Sequence, residues 1–557
     1  MRQGTHPVLA RPAVDPAFAP GAPGWYDRRM QTLTWRRKLA FGSGDTAISL
    51  LGTAIDVYFL FFLLTVAKVL PAYAALAIFV ARTWDWINDP LMGILSDRTR
   101  SRWGRRRPWL LFGALPFGLA FALMWWIPPI ADPRWLAAYY GLAYFLFDTG
   151  FTVVGVPYAA LLPDLAHTYD ERTSVSAWRM GFSIGVGLLG FAAGDIAGIA
   201  LPGGGTVGWL GVAGLFAVLA AASLWVVVAA TGGGFDPDNR PPGARRGDTA
   251  RRLGRDFRAW LARRWPLVVG AVTALTLWAG ALYVLPRAWP GLGVRTIVTD
   301  FILYAGFLVP VAVVVGRSFS RNRPFLFAMV IFLLTWTTVA VVQSVLPFFL
   351  TYWLRWGEGM IVPMGALFVS ALVLLPFWNW FTVRAGKRTA YVAGMASLVA
   401  ILVLLSALPS DVNRTLVIVI AALAGFGVSA AHVVPNSILP DGIEWEELRT
   451  GSRKEGFFYG VVSLLNKVAT SVAVPWVALV LAATGYDEAR GTDQLPGTLL
   501  AIRLLVGLVP AVLLALGVAA AAAYPLSRER HERIRHLLAL RKSRAAVAGD
   551  TPPAADR

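Results

Sequence analysis

Residues 82–108 read RTWDWINDPLMGILSDRTRSRWGRRRP. The first half sets Arg82, Asp85, Asn88 and Asp89 inside an apolar run, and the second half is a cationic hairpin holding one acid, Asp97. Ionisable side chains within a membrane span are costly and are kept there for function. Asp85 and Asp89 are four residues apart and share one helix face, with Arg82 one turn earlier on the same stripe. This geometry points to a cation site. The competing reading is an Asp89–Arg82 ion pair with a helix stop at Pro90, which leaves one acid over.

Composition sets the class around this stretch. The chain has 557 residues, 57% hydrophobic and 15% charged, with 23 Trp, no Cys and a mean hydropathy of +0.59. Repeated apolar runs of about 20 residues mark a polytopic helical membrane protein. The lack of cysteine excludes disulfides and thiolate chemistry. The net charge of +19 falls in short segments between apolar runs, as topology signals do, so nucleic acid is not an expected partner.

Residues 1–38 form a Pro- and Ala-rich tail expected to be disordered, with no cleaved signal peptide. Apolar runs follow at about 40–66, 72–96, 109–128, 135–162, 176–200 and 207–231, within an N-terminal bundle over 39–231. An Arg-rich linker spans 232–266, and two runs at about 267–286 and 297–316 make an inserted hairpin over 267–316. Six more runs, at about 325–350, 359–381, 389–409, 415–438, 457–484 and 498–524, build a C-terminal bundle over 323–524, and 525–557 is a basic tail. The total is fourteen spans. The loops at 97–108, 232–266, 317–323 and 384–388 are strongly cationic and the alternate loops are not, so both termini are expected in the cytoplasm, with the protein integral to the cell inner or plasma membrane.

The halves echo each other. Pro157, Leu162-Pro163-Asp164 and Arg172-Thr173 recur as Pro435, Leu439-Pro440-Asp441 and Arg449-Thr450, and the stretch from Asp97 to Gly104-Arg105-Arg106 has a weaker echo in Asn379 to Gly386-Lys387-Arg388. Two homologous six-span halves are the simplest account.

Asp-Xaa2-Asn-Asp-Pro at 85–90, SDRTRSRWGRRRPW at 96–109, VPYAALLPDLA at 156–166, DERTSVSAWR at 170–179 and LPDGIEWEELRTGSRKEGFFYG at 439–460 resemble the glycoside–pentoside–hexuronide:cation symporters, the melibiose-permease branch of the major facilitator superfamily. The resemblance covers about 40–230 and 323–524. It implies an all-α major facilitator fold of two pseudo-symmetric six-helix bundles, here with two extra helices between them. It also implies alternating access, with Na⁺, H⁺ or Li⁺ driving uptake of a sugar or glycoside.

Carried over by position, the resemblance places a cation site on Asp85, Asn88, Asp89 and Thr152, with Lys467 beside it. Oxygen ligands suit hard monovalent cations, and paired carboxylates can hold Na⁺ or exchange a proton. Lys467 also reads as a snorkelling lysine. Asp45 and Arg179 match positions that bind the sugar or organise its site. A carboxylate accepts paired hydrogen bonds from vicinal hydroxyls, and Arg donates to them or fixes the carboxylate. The family's second sugar-binding acid falls on Gly155 and its stacking aromatic on Ala159, a departure that counts against galactoside recognition. Asp148, seven residues before Gly155 and roughly 10 Å along the axis, and Asp56, eleven after Asp45, are the available substitutes.

Asp97 and Arg105 resemble the superfamily's signature loop, a charge clamp between the bundles, and Asp164, Arg172, Asp441 and Arg449 are assigned to the same cytoplasmic network; topogenic charge facing anionic lipid is the plainer alternative. His167 and His432 show no ligand spacing, so no metal beyond the coupling cation is expected, and no cofactor. Nor is there a nucleotide-phosphate loop or a nucleophile–base set, so neither ATP-driven transport nor enzymatic activity is expected. The chain reads as a monomeric cation-coupled sugar symporter, with transport of a lysolipid or another amphiphile as the alternative and a non-transporting membrane protein as the third reading.

Overall fold

Backbone inside hydrocarbon must satisfy its own hydrogen bonds, and every regular element among the described residues is helical. The computed structural model describes residues 33–99, 101, 103–166, 169–200, 206–231, 321–356, 359–451, 455–526 and 528–547. The N-terminal tail before Leu33, the linker 232–266, the inserted hairpin 267–316 and His167 lie outside the described residues.

The N-terminal half makes six passes: α1 (Trp35–Thr65), α2 (Pro71–Thr83) continued by α3 (Asp85–Arg98), α4 (Arg107–Met124), α5 (Pro133–Leu165), α6 (Tyr169–Phe191) continued by α7 (Ala193–Ala200), and α8 (Thr206–Thr231). The C-terminal half repeats the count with α9 (Arg323–Trp353), α10 (Ile361–Ala385), α11 (Lys387–Ala407), α12 (Arg414–Thr450), α13 (Glu455–Ala483) and α14 (Pro496–Ala522). A last helix, α15 (Arg528–Val547), follows.

Local chemistry sets the helix starts. Pro133 enters α5 behind Asp132, whose side chain accepts from Arg134 N, and Pro324 enters α9 behind Asn322, whose side chain accepts from Phe325 N. Gly386, at φ +85°, turns the chain between α10 and α11, and Gly451, at φ +76°, ends α12, both in the left-handed region that glycine tolerates.

Each half has its own aromatic core. Trp125 stacks on Trp209 at 5.0 Å in the first, and Trp378 lies 4.7 Å from Phe426 in the second. Phe112, Val218 and Val373 point outward, as lipid-facing side chains do.

Several boundaries depart from the apolar runs. The run expected over 72–96 is α2 and α3, joined through Trp84 at helical dihedrals, and α12 continues through Pro435 and Pro440 to Thr450, well past the apolar limit near 438. Apolarity marks where lipid ends; the helix goes on because α15 supplies a protein surface beyond it. Ile534 and Leu538 of α15 are buried in the C-terminal core, so the residues read as a basic tail form a docked helix. One-turn π segments interrupt the long helices at Ile55–Phe59, Phe349–Trp353 and Leu504–Leu508.

Close helix contact fixes the register between α9 and α12. A Cβ at Gly442 would sit 2.6 Å from the Phe325 Cα and 2.8 Å from its N, so backbone would have to move. Gly442→Ala is expected to destabilise the protein by about 1–3 kcal/mol. A thermal-unfolding midpoint equal to the parent's in detergent would contradict this contact.

Candidate functional site

The midplane cluster is built from α3, α5 and α13. Thr152, buried on α5, donates to Asp89 Oδ1 at 2.9 Å, and Lys467 on α13 places Nζ 2.5 Å from Asp89 Oδ2. The Asp89 carboxylate thus takes one partner from its own half and one from the other. Neither charge is fully solvated, so each lowers the cost of placing the other there. Asn88 is buried beside them, and its Nδ2 has no hydrogen-bond partner among the described residues. The side chain of Asp85 lies outside the described residues, as do those of Asp97, Asp164 and Arg172.

Arg82 does not take the role its spacing allows. Its Nη2 reaches Asp56 Oδ1 at 2.6 Å, its Nε donates to the Tyr144 hydroxyl, and its Nη1 meets the Thr470 carbonyl of α13 at 3.4 Å. Ser471 returns a bond to the Arg82 carbonyl at 3.3 Å. Trp84, between Arg82 and the acids, keeps helical dihedrals (φ −61°, ψ −33°), so it is the partners Arg82 finds, and not a break in the helix, that part it from Asp89. The Asp89–Arg82 pair is therefore absent, and Pro90 lies within α3. Asp148, buried on α5, is within electrostatic reach of Tyr144 and joins this second cluster together with Asp56.

Asp45 and Arg179 meet nearer the basic-loop end. Arg179 donates through Nε at 2.9 Å and Nη2 at 2.7 Å to Asp45 Oδ1, and it lies over the Tyr158 ring at 4.9 Å. Ser49 donates to Asp45 Oδ2 at 3.1 Å and shares a 2.6 Å bond with Ser183. At Gly155 an added Cβ would meet Ile48 Cδ1 at 3.6 Å and the Phe151 ring at 3.9 Å, and Ala159 is exposed. Asp56 pairs with Arg82, and the groups nearest an added Cβ at Gly155 are the apolar Ile48 and Phe151.

At the basic-loop end, Asp441 is held by Lys387 Nζ at 2.5 Å and His531 Nε2 at 3.3 Å, whereas Arg449 pairs with Glu446 at 2.6 Å. The network expected to unite Asp441 with Arg449 is thus divided. Eight residues turn a helix by about 80° and advance it roughly 12 Å, which separates the two side chains. Arg105 is partly buried and has partners of its own. His432 bonds within α12, through Nδ1 to the Val428 carbonyl at 2.9 Å. Tyr144 and Ser471 went unread in the sequence; Tyr144 carried a usable signal, four residues before Asp148 on the same face.

A family model described as MFS/sugar transport protein matches residues 40–285 and 312–528. A Synechocystis protein named as an uncharacterised symporter is 33% identical over 92% of this chain and 98% of its own. A Danio rerio protein named sodium-dependent lysophosphatidylcholine symporter 1-A is 28% identical over 90% of this chain and 88% of its own. Among solved structures, a bacterial homologue of the human drug peptide transporters PepT1 and PepT2 superposes with a TM-score of 0.54 at 13% identity, covering 90% of this chain and 99% of that one, and shares the fold.

The Asp45–Arg179 fork gives a stability test. Arg179→Met leaves a carboxylate that is only 6% exposed without its counter-charge, and a loss of about 3 kcal/mol is expected. Adding Asp45→Asn should recover most of it. Unfolding losses that simply add in the double variant would show that the two side chains share no energy.

Proposed function

Because the chain belongs to the MFS/sugar transport protein family, and is an integral membrane protein with that family's two-bundle fold, we propose that it is a sodium-coupled symporter of a lysolipid-like amphiphile. The observation that carries the coupling is the Asp89 carboxylate, held between Thr152 of its own half and Lys467 of the other. Na⁺ and the Lys467 ammonium compete for that carboxylate. When Na⁺ takes it, with oxygen from Thr152 on α5 and Asn88 on α3, Lys467 is released and the tie between the halves is exchanged for a tie within one half. The hinge of alternating access is thereby linked to the ion.

The melibiose-permease-like motifs support this ion site; the substrate wall supports a different cargo. Sugars need acceptors and donors around a ring of hydroxyls, and position 155 supplies none, with Ile48 and Phe151 facing it. An acyl chain suits that wall. The partly exposed guanidinium of Arg179, fixed by the buried Asp45, suits a phosphate, which guanidinium binds through paired donors. The relatives named as lysophosphatidylcholine symporters agree with this division of labour. In this reading the basic loops face the cytoplasm, and the chain works as a monomer with no cofactor beyond the coupling ion.

Reconstituted protein should take up labelled lysophosphatidylcholine about tenfold faster with an inward Na⁺ gradient than without one, and labelled galactosides at background. Asp85→Asn and Asp89→Asn should each remove most of the Na⁺ stimulation. Sodium-driven sugar uptake without lysolipid uptake would return the sugar reading to first place.

A further inference from the structure

On the face opposite the basic loops, one carboxylate gathers several bonds between the two halves. Asp195, in the first turn of α7, accepts from the backbone N–H groups of Gly359 and Met360 at 3.0 Å each through Oδ1, and from Ile361 through Oδ2. Those three donors are the unpaired start of α10, in the other half, where a helix concentrates positive potential. The first turn of α10 has no acid of its own to satisfy them.

Both sides of the contact are fixed in advance. Trp356, buried, donates through Nε1 to the Gly359 carbonyl at 3.1 Å, and Arg414 donates to the Trp356 carbonyl at 2.8 Å while lying over its ring. Gly359 itself takes φ +84°, which aims its N–H across the interface. On the other side, Tyr58 donates to the Phe191 carbonyl at 2.6 Å, just before α7, and the Phe191 ring lies 4.1 Å from Phe368 of α10. The exposed Lys68–Glu488 pair at 3.3 Å crosses the same face, but solvent screens it.

We propose that Asp195 is the latch that holds this face closed, and that its release from the start of α10 is a required step of the transport cycle. It is a positioning residue acting on the balance of states, and the proposal is independent of what the protein carries. Alternating access must open this face once per cycle, and opening strips Asp195 of three donors at once. A charged acceptor losing three bonds is the largest single polar cost on this face, so it sets how often the face opens.

The chain has no cysteine, so spin labels can be placed cleanly at Ala131→Cys and Ser410→Cys, exposed loop positions in the two halves on this face. Double electron–electron resonance on substrate-free protein in liposomes reads their separation. Asp195→Asn keeps the shape but replaces one acceptor oxygen with a donor and removes the charge; the long-distance population should rise about tenfold. Gly359→Ala weakens the latch from the other half: no atom lies within 4 Å of the new Cβ, but the left-handed φ is strained, so a smaller shift in the same direction is expected and serves if the first variant does not fold. Distance distributions identical to the parent's in the variants that fold would overturn the proposal.

Discussion

The contact on which the rest depends is the ion pair between Asp89 and Lys467. Either charge alone at the middle of a membrane protein would be expelled or neutralised, and each is kept because the other faces it. That they come from different halves turns a stability requirement into a mechanical one. In the proposed coupling the halves separate at this level when another cation serves Asp89, helped by Thr152, which bonds that carboxylate, and the buried Asn88. The ion is then a condition for movement that does not touch the substrate.

The Arg82 cluster makes the complementary tie. Arg82, Asp56 and Tyr144 bind one another inside the N-terminal half, while Thr470 and Ser471 reach Arg82 from α13. In both of these cross-half bonds a side chain donates to a backbone carbonyl, so neither pairs a cation with a carboxylate across the halves. It is suited to act as a pivot, with the Asp89–Lys467 pair as the element that changes hands. The π turn at Ile55–Phe59 carries Asp56, and such a turn re-aims a side chain at little cost to the helix.

Much of this was legible in the sequence. Span count over the described halves and the two-fold repeat follow from apolar runs and motif spacing, and the grouping of Asp89, Thr152 and Lys467 follows from the resemblance to the symporter family. What spacing could not reveal is which partner wins: Arg82 and Asp89 sit seven apart, yet Arg82 turns to Asp56 and Tyr144 while Asp89 turns to Thr152 and Lys467. Nor do apolar runs show where a helix ends when protein instead of water lies beyond the lipid, as at α12 and α15. Asp195 escaped notice for a third reason. Its partners are backbone N–H groups of Gly359, Met360 and Ile361, which every sequence has and none advertises.

The same logic bears on the substrate. The sugar-symporter motifs concentrate where ions and loops are handled, and these are functions that a change of cargo leaves intact. In the proposed function cargo is read by the side chains of the cavity wall, where Gly155, beside Ile48 and Phe151, stands at the position to which the resemblance assigns a sugar-binding acid. The Asp45–Arg179 fork survives because a guanidinium fixed by a buried carboxylate serves a phosphate as well as a hydroxyl. An apolar wall beside an anion-binding edge is the chemistry of an amphiphile, and it is reached from a sugar site by losing one carboxylate and one aromatic.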